Sequence, residues 1–131
     1  EIMIENTESQ EMYLSTIYAL QKKNGTVRLT DVAEERGYSK ASAHNAMDVL
    51  AEFGYIDFER GKITLTESGL EKAKNIEEKH KIVATALELI GADKAAAEEN
   101  ACRMEHVITD EVARLLKEYI GRKSSGNESA D

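Results

Sequence analysis

The sequence predicts a mainly α-helical protein interrupted once by a short β-hairpin. Three observations predict it. Apolar residues recur at helical spacing through most of the 131 residues, and no proline interrupts them. Glycines at Gly25, Gly37, Gly54 and Gly91 fall where those periodic stretches end. One segment departs from the helical period: Tyr55-Ile56-Asp57-Phe58-Glu59 alternates apolar and polar residues, turns at Arg60-Gly61, and alternates back through Lys62-Ile63-Thr64-Leu65.

The elements follow in order. Asn6-Thr7-Glu8-Ser9 supplies cap residues and acids for a first helix running to about Lys23, with an apolar stripe of Tyr13, Leu14, Ile17, Tyr18 and Leu20. Thr30-Asp31 caps a short helix over 31–36, closed by Gly37. Ser39 caps a longer helix to about Phe53. Two helices joined by Gly37-Tyr38-Ser39 form a helix-turn-helix candidate, and the hairpin directly after it is the wing of a winged helix. Thr66 caps a long helix to about Ile90. Asp93 caps an alanine-rich helix through about His106. Thr109-Asp110-Glu111 opens a last helix that ends near Gly121. Residues 122–131 lack apolar content and are expected to be a disordered tail.

Composition narrows the function. No apolar run approaches the ~20 residues of a membrane span, and the acidic opening is no signal peptide, so a cytoplasmic protein without membrane partner is expected. No phosphate loop or nucleophile motif is present, which excludes the commoner enzyme classes and gives no reason to expect a small-molecule substrate. The net charge of −8 is unusual for a nucleic-acid binder, because phosphate affinity comes largely from Lys and Arg. Residues 1–75 alone hold nine Lys/Arg and thirteen Asp/Glu. Either the chain does not bind DNA, or it binds through a local basic patch while something such as a divalent cation offsets its acidity.

The reading element of a helix-turn-helix is the start of its second helix, which enters the major groove. Here that segment offers Ser39, Lys40, Ser42, His44 and Asn45, while Ala43, Met47 and Leu50 face inward. Asn45 suits a base edge, Ser39 and Ser42 suit phosphates or bases, and Lys40 suits phosphate. Arg60 and Lys62 sit at the wing tip, within reach of the neighbouring backbone. His44 reads more readily as a surface residue. The plain alternative is an αα-hairpin for protein contact with solvated charges.

A second constellation points to a metal. On a helix, Glu98, Cys102, Glu105 and His106 share one face within an arc of roughly 100°. Thiolate, carboxylate and imidazole are the donors that hold transition metals. The alternative is a polar stripe with a packed thiol, Cys102 being the only cysteine. Met12 lies opposite the stripe of the first helix and reads either as a thioether donor or as a gap filler. His80, beside Ile76, Val83 and Leu87, reads either as a satisfied core histidine or as a ligand.

The order of elements and these donors resemble the iron-dependent repressor (diphtheria toxin repressor-like) family, which includes manganese transport regulators. The likeness spans about Ser9 to Tyr119. It is carried by Glu11-Met12-Tyr13-Leu14, Thr16-Ile17-Tyr18, Asp31-Val32-Ala33-Glu34, Ser39-Lys40, Leu65-Thr66-Glu67-Ser68-Gly69, Lys79-His80, and the block from Ala101-Cys102-Arg103-Met104-Glu105-His106 through Val107-Ile108-Thr109-Asp110-Glu111-Val112. The resemblance implies a winged helix-turn-helix DNA-binding domain over 1–72 and a helical metal-binding and dimerisation domain over 73–121, in the two-domain form without an SH3-like domain. It implies a primary metal site at Met12, Cys102, Glu105 and His106, and an ancillary ligand at His80. Glu98 stands where iron-type members have histidine, and Ala84 where they have a carboxylate, so an ancillary site would be weakened or rebuilt around His80, Glu98 and Glu105. Ala41 replaces a proline common in the recognition helix.

Manganese regulators carry aspartate at the Met12 position and carboxylates at the Ser15 and Cys102 positions. Sulfur donors here favour Fe2+, with Co2+, Ni2+ or Zn2+ also compatible, over the harder Mn2+. The expected function is therefore an Fe2+-dependent repressor that binds palindromic double-stranded operator DNA as a homodimer and controls metal-uptake genes. The alternatives are a Mn2+-responsive relative, a metal-independent winged-helix regulator, or a helical protein-interaction module.

Overall fold

The computed structural model describes residues 2–125, with side chains over 8–124. Its elements are α1 (Ile2–Asn24), β1 (Val27–Arg28), α2 (Leu29–Arg36), α3 (Lys40–Glu52), β2 (Ile56–Glu59), β3 (Lys62–Leu65), α4 (Glu67–Leu89), α5 (Lys94–Met104) and α6 (Asp110–Ser125). The chain divides into two compact units, Glu1–Asn75 and Ile76–Asp131. The first is a winged helix-turn-helix and the second is helical.

The first unit closes around one core. Tyr13, Leu14, Ile17 and Leu20 of α1 meet Leu29, Val32 and Ala33 of α2, Ala43, Met47 and Leu50 of α3, and Val27, Ile56 and Ile63 of the sheet. Tyr18 of the expected stripe is only half-buried, with the Lys22 ammonium 4.3 Å from its ring centre. The sheet order is β1-β3-β2, antiparallel throughout, with Phe58 opposite Ile63 and Arg28 opposite Lys62. Arg60 (φ 53°) and Gly61 (φ 79°) turn the wing. Two positive φ values in a two-residue turn match the twist of the strands it joins.

Several boundaries differ from expectation. α1 begins at Ile2, before the capping cluster, since neither glycine nor proline stops a helix there. α2 begins at Leu29, and Asp31 is not its first residue but a reach-back cap, accepting the Arg28 backbone N–H at 2.9 Å. α5 ends at Met104, so His106 stands in a turn and not on the helix. Its amide donates to the Arg103 carbonyl at 3.4 Å. α6 runs past Gly121 to Ser125, Gly121 costing about 1 kcal/mol relative to alanine without breaking a helix. Of the expected tail, 126–131 lie outside the described residues.

Side-chain caps fix the other starts. Ser39 accepts from the Ser42 amide at 3.1 Å and Asp93 from the Ala96 amide at 2.8 Å. Thr66 accepts from the Gly69 amide and donates to the Gly54 carbonyl at 2.6 Å, pinning the start of α4 to the end of the recognition helix. Gly69 is required there, because a Cβ would fall on the Tyr55 carbonyl.

The second unit has a smaller core. Val83 and Ala84 of α4 pack on Ala101 of α5, with Leu87, Ile108 and Leu116 half-buried around them. Ala84 therefore fills a packing position.

Candidate functional site

Ser39, Lys40, Ser42, His44 and Asn45 are all exposed, whereas Ala43, Met47 and Leu50 beneath them are buried. The helix start thus presents a polar face carried on a packed underside. Ser39 accepts the Ser42 amide as the α3 cap, a role that uses its oxygen and not its O–H. His44 is anchored: Nδ1 lies 3.2 Å from Asp48 and the ring meets Phe58 edge-on at 5.1 Å. It braces the recognition helix against the wing. Arg60 and Lys62 are exposed at the hairpin. The sheet adds a cation that sequence reasoning missed, because Arg28 is exposed directly opposite Lys62. A two-residue strand shows no alternation, and only its register reveals the neighbour.

In the second unit, four of the proposed donors lie in one chain of polar contacts. His80 on α4 places Nε2 2.7 Å from Glu98 and Nδ1 2.8 Å from Glu105. The other Glu105 oxygen lies 3.1 Å from His106 Nε2. Glu105 is buried, and the His106 side chain is only 9% exposed. Burial works to lower the His80 pKa, but hydrogen bonds to Glu98 and Glu105, then their charges, outweigh it and raise it. The hydrogen bond to His80 in turn lowers the Glu98 pKa. Two ring nitrogens facing two carboxylates are what an imidazolium satisfies.

Cys102 is an exposed residue whose thiol is still partly shielded. That shielding raises its pKa, and the charges of Glu105 and then Glu98 raise it further. A cation among these groups would reverse the effect. Among the described residues, no three His, Cys, Asp or Glu side chains are placed as a metal ion would require; hydrogen bonds join them instead. The donor set itself, a thiol with a buried carboxylate and an imidazole, suits a divalent transition metal.

Met12 stands on α1 in the first unit, half-buried, its carbonyl accepting the Thr16 hydroxyl at 2.9 Å. One turn on, Ser15 Oγ is buried with no hydrogen-bond partner among the described residues. An unsatisfied hydroxyl costs about 1–3 kcal/mol, and here it lies on the Met12 side of the helix.

Two family models cover the chain. The iron dependent repressor N-terminal DNA binding domain matches residues 5–62, and the iron dependent repressor metal binding and dimerisation domain matches residues 66–125. The chain belongs to the iron-dependent repressor family. It is a metal-dependent transcriptional regulator of that family, not an enzyme. An HTH-type transcriptional regulator of Methanocaldococcus jannaschii is 36% identical over 117 residues, covering 87% of this chain and 94% of that one. The diphtheria toxin repressor of Corynebacterium diphtheriae is 29% identical over 125 residues, 92% of this chain but 55% of its own length. The solved structure of a manganese-dependent transcriptional repressor in complex with manganese superposes with a TM-score of 0.76 at 25% identity, over 86% of this chain and 52% of that one. No helix among the described residues is long and apolar enough to cross a membrane.

Proposed function

We propose that this iron-dependent repressor family member binds palindromic operator DNA as a homodimer when loaded with Fe2+, and thereby controls metal-uptake genes. The observation that carries the reading is the donor set of Cys102 beside the buried Glu105 and the largely buried His106. Met12 is the further ligand that the sequence resemblance implies. When bound, the metal supplies a fixed divalent charge that offsets local acidity and holds these side chains in one arrangement. Sulfur among the donors favours Fe2+ over Mn2+.

The chain's own residues do the rest. Asn45 reads a base edge from the exposed start of α3, Ser39 and Ser42 contact phosphates or bases, and Lys40, Arg60 and Lys62 hold phosphates. Dimerisation is assigned to α6. Val112, Leu115 and Tyr119 recur at spacings of three and four and are 45%, 48% and 43% exposed. A second copy is the occupant that the dimerisation domain model supports. Two copies then set the separation of two recognition helices against half-sites about 34 Å apart. Metal favours the DNA-competent state only by binding it more tightly than the alternative.

Mn2+ is the second reading, favoured by the oxygen donors Glu98 and Glu105 around His80. Fluorescence anisotropy on an operator candidate decides between them, without oxygen and at fixed salt, with Fe2+, Mn2+ or chelator. Binding with Fe2+ at lower concentration than Mn2+ is expected, and Cys102→Ala should weaken that activation at least tenfold while leaving the dimer intact. Equal binding in chelator removes the metal switch. Unchanged metal dependence in Cys102→Ala removes this ligand assignment.

A further inference from the structure

We infer that Lys79 is a positioning residue for the α5–α6 segment that carries Glu105 and His106, an inference that rests on reading those two residues as metal ligands. α5 ends at Met104 and α6 begins at Asp110. His106 therefore stands on the turn between them, whose amides bond back to the Arg103 and Met104 carbonyls. Contacts from a neighbouring helix can fix its place further.

Three consecutive residues of α4 do so. Lys79 donates from Nζ to the Ile108 carbonyl at 2.9 Å and pairs with Asp110 Oδ1 at 3.0 Å. His80 grips Glu105 at the near end of the turn. Glu78 takes the Lys117 ammonium at 3.0 Å, one stage further along α6. Successive helical residues fan by roughly 100°, so these attachments wrap the segment around α4 instead of lining it up along one face.

Neither Lys79 nor Glu78 has a ligand role, and Lys79 is the one bonded to the turn itself, at Ile108. Its side chain is 13% exposed, so its charge is largely withdrawn from water and costs free energy unless partnered. It also sits at the N-terminal end of α6, where the helix dipole opposes a cation. Asp110 at the first position of α6 offsets both. The ordinary surface ion pair contributes little. A shielded ammonium that binds a turn carbonyl as well as a carboxylate instead fixes the turn, two residues from His106. These bonds of Lys79 go to the Ile108 carbonyl and the Asp110 carboxylate, neither of them a proposed ligand.

The test uses the full chain and Co2+ as probe, since thiolate-to-cobalt absorption reports ligation directly. Lys79→Met keeps the apolar stem and removes both bonds. Its Co2+ affinity, by chelator competition, should fall about 10- to 100-fold, the usual cost of losing a group that orients a ligand. Amide exchange in chelator gives the second reading. The His106, Val107 and Ile108 amides, which bond to Arg103 and Met104 carbonyls, should exchange at least tenfold faster, while core amides of Val83 and Ala101 stay protected. Asp110→Asn changes a side chain 81% exposed, so it folds, and should show the same pattern at smaller size. Lys79→Arg should recover part of both losses. Co2+ affinity within twofold of wild type, or unchanged turn exchange in both variants, overturns the inference. Turn and core amides loosening together would make Lys79 a general stabiliser and overturn it as well. Wild-type protein that takes up no Co2+ is a separate outcome, which removes the metal reading itself and with it this role for Lys79.

Discussion

In the first unit Leu14, Ile17, Val32, Met47, Leu50 and Ile56 are each no more than 2% exposed and lie in one cluster. In the second the cluster is Val83, Ala84 and Ala101, two of the three being alanine. The second unit nevertheless leaves Leu89, Ile90, Val107, Val112, Leu115 and Tyr119 exposed among its described residues. A buried leucine contributes about 1.5–3 kcal/mol, and an alanine much less. The reading surface therefore rests on a core that can hold it rigid. The unit carrying most of the proposed ligands keeps much of its apolar surface exposed, and charged side chains join the packing of Ile108 in fixing its α5–α6 turn. A stiff reader beside a lightly packed sensor is a sensible division, because a ligand shifts most readily what is least firmly packed.

The largest effect that tests this contrast is a core truncation in each unit. Leu50→Ala should destabilise the first unit by about 2–5 kcal/mol. Val83→Ala should cost the second only about 1–2 kcal/mol, at about 0.8 per methylene-sized group lost. Urea unfolding followed by amide exchange reads the two separately. Equal losses would mean that the second core is packed as firmly as the first, and the contrast would be gone.

Next in size is the exposed stripe of α6. Leu115→Glu places a charge among Val112 and Tyr119 and should weaken self-association by at least 2 kcal/mol, about 30-fold. Sedimentation over a concentration series measures it. Exchange protection in the first unit should not change. A dimer of undiminished affinity would move the proposed interface off this stripe and leave the exposed residues of the second unit without an assigned partner.

The same contrast explains what the sequence revealed. The first unit was legible in kind because its core residues sit at strict helical or alternating positions: the Leu14–Ile17 spacing, Ala43–Met47–Leu50, and Ile56 and Ile63 on the alternating strands. Its errors lay at ends. Val27 and Arg28 are too few to alternate, and the Arg28–Asp31 cap reads from sequence as a start two residues late. In the second unit the candidate donors were visible as residue types at helical spacing, but their geometry was not. A helix drawn through His106 puts it on one face with Cys102. The helix ends at Met104, before His106, and the fold sets Glu105 against His80, twenty-five residues earlier. Ala84 and Lys79 carry no local signal of what they do, since packing against Ala101 and binding the Ile108 carbonyl are decided by tertiary structure.

The smallest effect is also the sharpest, because it applies one change to both units. Ser39 and Asp93 cap α3 and α5 in the same way, each accepting from the amide three residues on. Removing either cap with alanine should cost about 1 kcal/mol. In the first unit that cost is shared through Ala43, Met47 and Leu50, so Ser39→Ala should lower global stability slightly and leave α3 amides no easier to open locally than globally. In the second unit α5 is held by Ala97 and Ala101, which give little purchase. Asp93→Ala should therefore fray α5 locally, speeding exchange in its first turns about fivefold, the factor that corresponds to 1 kcal/mol, with global stability barely moved. Because Glu98 lies in those turns, its hydrogen bond to His80 should loosen as well, visible as a shift of the His80 ring resonances. If Asp93→Ala behaves like Ser39→Ala, spreading its cost evenly, α5 is part of a cooperative core that packing alone does not reveal.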